Sequence, residues 1–179
     1  MSNSTVLSRV EKAKRQHILA ESLAKQAFAK LCATEPSALS IGHTEEGKPY
    51  CPQIPAALSI SHSEGEVVVL VGPERARLGI DVQHVDERRS YHELAERFID
   101  PGRAEWILKA ETPLRFCYVW TRMEAMMKAT GKPLLKLLAT PELEGLPLAS
   151  SCYRTEEGMF VLSVYGCEVT LPFARPLFA

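Results

Sequence analysis

The sequence contains five cysteines but no two of them in C-x-x-C spacing. The cysteines are Cys32, Cys51, Cys117, Cys152 and Cys167. Structural zinc sites usually draw on closely spaced cysteine pairs, so this scattered, odd-numbered set argues against one. We therefore predict reduced, mostly buried thiols and a cytoplasmic protein.

Long apolar runs and a charge bias are also missing. No stretch approaches the ~20 apolar residues of a transmembrane helix, and the start MSNSTVLSRVEKAKRQ lacks the apolar segment of a signal peptide. The 21 basic and 22 acidic side chains leave a formal net charge of -1, so no global field favours nucleic acid or an anionic membrane. We expect neither as a partner. The composition provides enough core for a monomer.

Two common catalytic motifs are absent. There is no G-x-x-x-x-G-K-[ST] phosphate loop, although Gly47-Lys48-Pro49-Tyr50 is a rigid segment whose lysine could hold a phosphate; a plain turn explains it equally well. There is no G-x-S-x-G elbow, and Ser61 and His62 would point to opposite faces of a strand, which disfavours a hydrolase. Anion binding and a solvated strand end remain as interpretations of these two residues.

Helical and strand patterns alternate along the chain, which predicts an α+β fold. Residues 8–33 read as an amphipathic helix. Thr112 and Pro113 suit the start of a later helix and Gly131 suits its end, while two shorter helices lie between residues 90 and 110. The predicted apolar stripe of the first helix is Leu19, Leu23, Ala27 and Leu31. The predicted strands are 57–61, 66–71, 78–82, 160–165 and 167–171, with a short hairpin inside 42–58.

A carboxylate follows the apolar segment Leu78-Gly79-Ile80. Asp81 and Gln83 lie two residues apart, so in a strand they face the same side and could offer oxygens to one ion. A strand-end aspartate that caps a turn is the alternative, and from this pair alone it is favoured.

The later helix carries Trp120, Glu124 and Lys128 at four-residue spacing, which places them on one face. Glu124 beside a basic group could stay ionised and bind a metal or accept a proton. The alternative is an ordinary solvated i,i+4 Glu–Lys pair, which contributes only ~0.2–0.5 kcal/mol.

In order and spacing, these patterns resemble the surfactin-type 4'-phosphopantetheinyl transferases, which include the enterobactin-type enzymes. The matching pieces are Gly47-Lys48-Pro49, S-I-S-H-S at 59–63, Gly79-Ile80-Asp81, and W-x-x-x-E-A-x-x-K at 120–128. Ala13-Lys14-Arg15-Gln16 resembles the basic start of enterobactin-type members. The likeness spans about residues 13–165.

The resemblance implies two similar α+β lobes, 1–80 and 81–179, related by a pseudo-twofold axis, with coenzyme A in the cleft between them. It implies transfer of the phosphopantetheine arm of coenzyme A to a serine of an apo acyl or peptidyl carrier protein, with release of 3',5'-adenosine bisphosphate. This is the holo-acyl-carrier-protein synthase reaction, with carrier proteins of fatty acid, polyketide or nonribosomal peptide synthesis as partners.

The resemblance also assigns residues by position. Asp81, Gln83 and Glu124 are implied as ligands of Mg²⁺, and Asp81, Glu124 and Lys128 as the catalytic set. The implied coenzyme A contacts are Lys14, Arg15, Lys48, Pro49, Ser61, His62 and Lys128.

Three positions depart from the family pattern. Met123 replaces a lysine before the glutamate, Gln83 replaces an acidic residue of many members, and Ala20-Glu21-Ser22 replaces an A-G-R tripeptide. Each change is expected to weaken anion or metal binding without removing Asp81, Glu124 or Lys128. An active enzyme is favoured, and the alternative is a relative that binds coenzyme A or a carrier protein without catalysis.

Overall fold

The computed structural model describes residues 9–88, 90–110, 112–131 and 148–166. Helices and antiparallel strands are mixed along the chain, so the predicted α+β class is confirmed. The helices are α1 (Arg9–Cys32), α2 (His92–Phe98), α3 (Pro101–Leu108) and α4 (Leu114–Thr130), and a single 3₁₀ turn covers Pro36–Ala38. The strands are β1 (Gly42–His43), β2 (Pro49–Tyr50), β3 (Ala56–Ser63), β4 (Glu66–Pro73), β5 (Gly79–His84), β6 (Leu148–Thr155) and β7 (Gly158–Tyr165).

The strands form two hairpins and one larger sheet. β1 pairs with β2, and β3 pairs with β4, both antiparallel. The third sheet has the order β5-β7-β6 and is antiparallel throughout, so β5 lies at its edge. No helix in the described parts of the chain is long and apolar enough to cross a membrane.

Two clusters of buried side chains stabilise these elements. One centres on Phe28 of α1 and Leu58 of β3. The other joins α2, α3 and α4 to β7 and includes Phe116, Met123 and Val161. The division into lobes at residue 80 and their pseudo-twofold relation stay predictions.

The first helix buries a different face from the predicted one. Ala20, Ala24 and Phe28 are buried, whereas Leu19 and Leu31 are 44% and 59% exposed. The four-residue spacing was therefore correct but shifted by one position, because small alanines let α1 approach the β3–β4 hairpin closely and leave the larger leucines outside.

Most of the strands were predicted correctly, whereas one strand was missed and the start of α4 was placed one residue too early. β3, β4, β5 and β7 contain or closely match the predicted segments, and the predicted hairpin is β1–β2. β6 was missed, because its sequence LASSCYRT mixes small polar residues with few β-branched ones. Thr112 lies one residue before the helix cap, which is Pro113, while Gly131 ends α4 in the left-handed conformation as predicted. The predicted strand 167–171 lies outside the described residues.

Gly79 allows α4 to pack directly on β5. A side-chain carbon at this position would collide with the carbonyl oxygen of Ala125 and lie 2.9 Å from the backbone nitrogen of Ala129. The helix therefore approaches the strand without an intervening side chain. This close packing brings Lys128 of α4 onto Asp81 of β5.

Candidate active site

Asp81 lies inside strand β5, two residues after its start and three before its end. It is opposite Ser163 of β7, and only 6% of its surface is exposed. The interpretation of Asp81 as a strand-end residue that caps a turn is therefore wrong. A carboxylate placed at the edge strand of a sheet, beneath a helix, must be compensated by partners from neighbouring elements.

Lys128 is the first of these partners. Its Nζ donates to Asp81 Oδ1 at 2.7 Å and to the Ile80 carbonyl oxygen at 3.1 Å, and its side chain is 26% exposed. The solvated Glu124–Lys128 pair considered from the sequence is not formed. Lys128 instead joins the end of α4 to the outer edge of β5.

The second partner of Asp81 is Ser61, whose hydroxyl donates to Asp81 Oδ1 at 2.7 Å. Ser61 is one of three serines of β3, Ser59, Ser61 and Ser63, that we call the serine seam. Alternate amides of β5 point away from β7 and donate to the side chains of the seam, because among the described strands β5 pairs by backbone hydrogen bonds with β7 alone. The hydrogen bonds run from Ile80 N–H to Ser59 Oγ (3.1 Å), from Val82 N–H to Ser61 Oγ (3.3 Å) and from His84 N–H to Ser63 Oγ (3.0 Å).

The electrostatics of Asp81 reflect this burial. Loss of solvent raises the pKa of the Asp81 carboxyl above its ordinary value, and the charge and hydrogen bond of Lys128 oppose that rise. Hydrogen bonds from Ser61 and the Val82 amide act in the same direction as Lys128. The side chain is thus a buried acid whose charged form depends on these neighbours.

Glu124 lies half-buried on α4, one turn before Lys128. Burial raises the pKa of its carboxyl, the Asp81 charge raises it further, and Lys128 opposes the change. Glu124 makes no hydrogen bond or ion pair within the described residues. A half-buried carboxyl with an elevated pKa and no fixed partner is suited to exchange a proton with a bound group.

A row of hydroxyl groups, buried at Thr121 and Ser163, continues from this site across the sheet. Thr121 Oγ1 and Ser163 Oγ share a hydrogen bond of 2.7 Å, Ser163 and Ser150 share one of 2.9 Å, and Arg122 Nη1 donates to Ser150 Oγ at 3.2 Å. Ser163 lies directly opposite Asp81 on the neighbouring strand. The row fixes α4 on the sheet, and sequence reasoning missed it because serines in β6 and β7 gave no motif.

Two adjoining cavities lie beside α1, one against the turn between β3 and β4 and the other against the end of β5. One, of about 590 Å³, is lined by Lys12, Ala13, Arg15, Gln16, Leu19, Glu64 and Gly65. The other, of about 420 Å³, is lined by Lys12, Ser63, Glu64, Gln83, His84, Asp86, Arg88, Tyr91 and Glu157. Both share Lys12 and Glu64, so together they form a groove from Arg15 to Gln83. Lys12 was absent from the predicted site residues, although it lies three residues before Arg15 and therefore on nearly the same face of the helix.

The structure separates the other predicted residues. Arg15 and Gln83 line the groove, whereas Lys14 is exposed on α1 and outside its lining. Gln83 donates from Nε2 to the His84 carbonyl oxygen at 3.2 Å. Lys48 and Pro49 lie at the β1–β2 hairpin, outside both cavities.

The structure also shows the exposure of the adjacent β3 residues Ser61 and His62 and of Met123, one departure from the family pattern. His62 is exposed while Ser61 is buried, as their opposite faces predicted, so the solvated-strand-end interpretation fails for Ser61. Met123 is 1% exposed and packs in the core around α4. Met123 does not line either cavity, and the expectation that it weakens anion binding stays a prediction.

The donor set of Asp81, Gln83 and Glu124 fits a hard cation in part. Carboxylate and amide oxygens are ligands that Mg²⁺ accepts, and it commonly uses only one or two carboxylates together with phosphate and water. Burial and, second to it, the charge of Asp81 raise the pKa of Glu124, and a cation would relieve the repulsion between the two carboxylates. Across the described ranges, no three His, Cys, Asp or Glu side chains are grouped to hold a metal. Any ion here would therefore depend on ligands other than a third acid.

Comparison with known proteins points to one superfamily. Residues 77–160 match the profile of the 4'-phosphopantetheinyl transferase superfamily, and this segment contains Asp81, Gln83, Glu124 and Lys128. The chain is also 30% identical over 121 residues to a 4'-phosphopantetheinyl transferase of Bacillus subtilis, a match that covers 65% of this chain and 52% of that protein. The chain thus spans about half the length of this curated relative. Both comparisons therefore show that part of this chain is similar to the 4'-phosphopantetheinyl transferases.

Proposed function

We propose that this protein transfers the 4'-phosphopantetheine arm of coenzyme A to a serine of an apo acyl or peptidyl carrier protein, as the surfactin-type members do. The main observation that supports this proposal is the buried Asp81–Lys128 pair with Glu124 beside it, inside the segment that matches the superfamily. A buried acid, a second acid with a raised pKa and a partly exposed lysine form a group suited to phosphoryl-type transfer.

In the proposed reaction the carrier serine oxygen forms a bond to the β-phosphorus of coenzyme A. The bond from that phosphorus to the bridging pyrophosphate oxygen breaks, and 3',5'-adenosine bisphosphate leaves with the electron pair. Glu124 accepts the serine proton, directly or through water. Its elevated pKa brings it closer to the pH at which it can both take up and release a proton.

Lys128 supplies positive charge near the leaving phosphate. Its Nζ is already oriented by Asp81 and the Ile80 carbonyl oxygen, so little reorganisation is needed. Asp81, Glu124 and Gln83 would hold Mg²⁺, which when bound offsets the negative charge of the pyrophosphate.

The groove between α1 and β5 is the proposed seat of coenzyme A. At its outer end Lys12 and Arg15 face one acid, Glu64, so phosphate groups are favoured there. At its inner end Lys12 and Arg88 are balanced by Glu64, Asp86 and Glu157, which leaves that end without a cationic excess. We therefore assign the outer end to a terminal phosphate.

A second candidate function is binding of coenzyme A or a carrier protein without transfer. The small number of grouped acids among the described residues favours it, because fewer carboxylates bind a cation less tightly.

One experiment separates the two functions. Purified protein is incubated with coenzyme A, Mg²⁺ and an apo acyl or peptidyl carrier protein, and the carrier mass is followed over time. Transfer adds one phosphopantetheine, and Glu124→Gln should reduce the rate by about 100-fold or more. The matched control is Glu105→Gln on the exposed face of α3, which should keep the wild-type rate. Coenzyme A binding by the wild type without mass gain on any carrier tested would favour the non-catalytic function.

A further inference from the structure

Ser61 differs from the other members of the serine seam because its hydroxyl group donates a hydrogen bond to a carboxylate. All three serines accept one amide of β5, but the Ser61 hydroxyl also donates to Asp81 Oδ1 at 2.7 Å. Ser61 is 7% exposed, and Ser59, its neighbour in the seam, is 3% exposed. The two serines are therefore matched in strand, burial and backbone partner, and only Ser61 contacts the carboxylate.

The contact of Ser61 has a consequence for the carboxylate. Lys128 and Ser61 both donate to Oδ1, so within the described residues Oδ2 has no side-chain donor. We propose that Ser61 is a positioning residue: with Lys128 it fixes the orientation of the Asp81 carboxylate and reserves Oδ2 for the bound substrate or ion. This inference rests on the proposed function.

The same geometry argues against Ser61 as a direct phosphate contact. A serine hydroxyl has one proton to donate, and here Asp81 receives it. Its oxygen also accepts the Val82 amide at 3.3 Å. A phosphate contact would therefore require Ser61 to give up its hydrogen bond to a buried carboxylate, which would leave that carboxylate with one donor fewer.

Substitution of Ser61 and Ser59 tests the proposal. Ser61→Ala should lower kcat for transfer by about 10-fold or more, with the KM for coenzyme A changed less than about twofold, since positioning acts on the reacting groups. Ser59→Ala removes an equivalent amide acceptor but should keep kcat near wild type. Ser61→Thr retains the hydroxyl and should restore most of the rate. An unchanged kcat with a raised KM in Ser61→Ala would establish a phosphate contact instead, and equal losses in Ser59→Ala and Ser61→Ala would reduce Ser61 to a structural member of the seam.

A second measurement does not need activity. Urea unfolding of Ser61→Ala, Asp81→Ala and the double variant should show coupling of about fivefold or more in the unfolding equilibrium constant. Ser59→Ala combined with Asp81→Ala should be close to additive. If Ser61→Ala does not fold, Ser61→Cys replaces it, because a thiol fills similar space and donates only weakly. Coupling without transfer in the wild type would overturn the proposed function but not the contact, whereas additivity at Ser61 would overturn the positioning.

Discussion

The two long helices of this protein are used in opposite ways. Helix α1 lies on the surface and buries a narrow face around Phe28, leaving Val10 and Ile18 exposed at 78% and 58%. Helix α4 is shorter, yet buried residues occur along its whole length, from Phe116 to Ala129. Packing fixes α4 on several sides and α1 on one.

The difference matches the chemistry proposed for each helix. Lys128 and Glu124 are proposed to act on a reacting centre, where small displacements are costly, and both lie on the closely packed helix. Lys12 and Arg15 of α1 are proposed to attract phosphates, and charge–charge attraction tolerates a looser position. The side chains that need exact positions thus lie on the tightly packed helix α4, and those that act through long-range charge lie on the less tightly packed helix α1.

The largest effect should come from Gly79→Ala, which tests how closely α4 must approach β5. The added carbon would collide with the Ala125 carbonyl, so either the helix or the strand must move. We expect a loss of at least about 4 kcal/mol of unfolding free energy, measured by urea denaturation.

Gly102→Ala is the control for this experiment. A carbon added there lies 3.6 Å from Asp100 Oδ1, an ordinary contact, and the position is in helix α3. Alanine should be neutral or stabilise by up to about 1 kcal/mol. Similar losses in the two variants would show that the packing of α4 on β5 is not special.

The second effect concerns α1. Phe28 is fully buried, so Phe28→Ala should cost about 3–4 kcal/mol in urea unfolding. Leu31→Ala, three residues away but 59% exposed, should change stability by less than about 0.5 kcal/mol. A large cost at Leu31 would mean that α1 buries a second face and is not a one-sided helix.

The sequence predicted the helices and strands better than it predicted which residues contact one another. Strand and helix periodicities located β3, β4, β5, β7 and the four helices, because local residue patterns encode them. The face of α1 was misplaced by one residue, because alanine and leucine both count as apolar and only tertiary packing distinguishes them.

The candidate site was only partly predictable. Resemblance to a family, rather than motif spacing alone, named Asp81, Glu124 and Lys128, and the spacing gave the wrong partner for Lys128. Its contact with Asp81 joins residues far apart in sequence, and the serine seam likewise depends on β3 lying beside β5. Such contacts follow from topology, which the spacing of motifs does not encode.

The third largest effect should come from Lys128→Met, which tests the ion pair that joins α4 to β5. Lys128→Met removes the counter-charge of a buried acid, which should cost about 2–3 kcal/mol in urea unfolding at neutral pH, less than for a fully buried pair because Lys128 is 26% exposed. Lys109→Met is the control: it breaks an exposed i,i+4 pair with Glu105 and should cost no more than about 0.5 kcal/mol. Equal small losses would mean that Asp81 does not depend on Lys128 for its charge.

The smallest effect should be a gain in stability. Glu124 has a raised pKa in the folded protein, so between its unfolded and folded pKa values the native state binds more protons than the unfolded state. The free energy of unfolding therefore falls as pH rises through the folded pKa. Glu124→Gln removes this titration and should stabilise the protein at pH 7 by roughly 0.5–1 kcal/mol, a range reduced for the partial exposure of the side chain.

The pH dependence of the stability difference distinguishes loss of the Glu124 charge from a general effect of the glutamine side chain. Below the unfolded pKa of glutamate, about 4.3, both proteins are uncharged at position 124 and their stabilities should converge. Glu105→Gln, which loses only an exposed ion pair, should show no gain at pH 7. Thermal unfolding of the three proteins from pH 4 to pH 8 measures the difference. A wild type more stable than Glu124→Gln at pH 7 would show that the Glu124 charge is stabilised by the fold, and would remove the electrostatic cost that we connect with its proposed role in proton transfer.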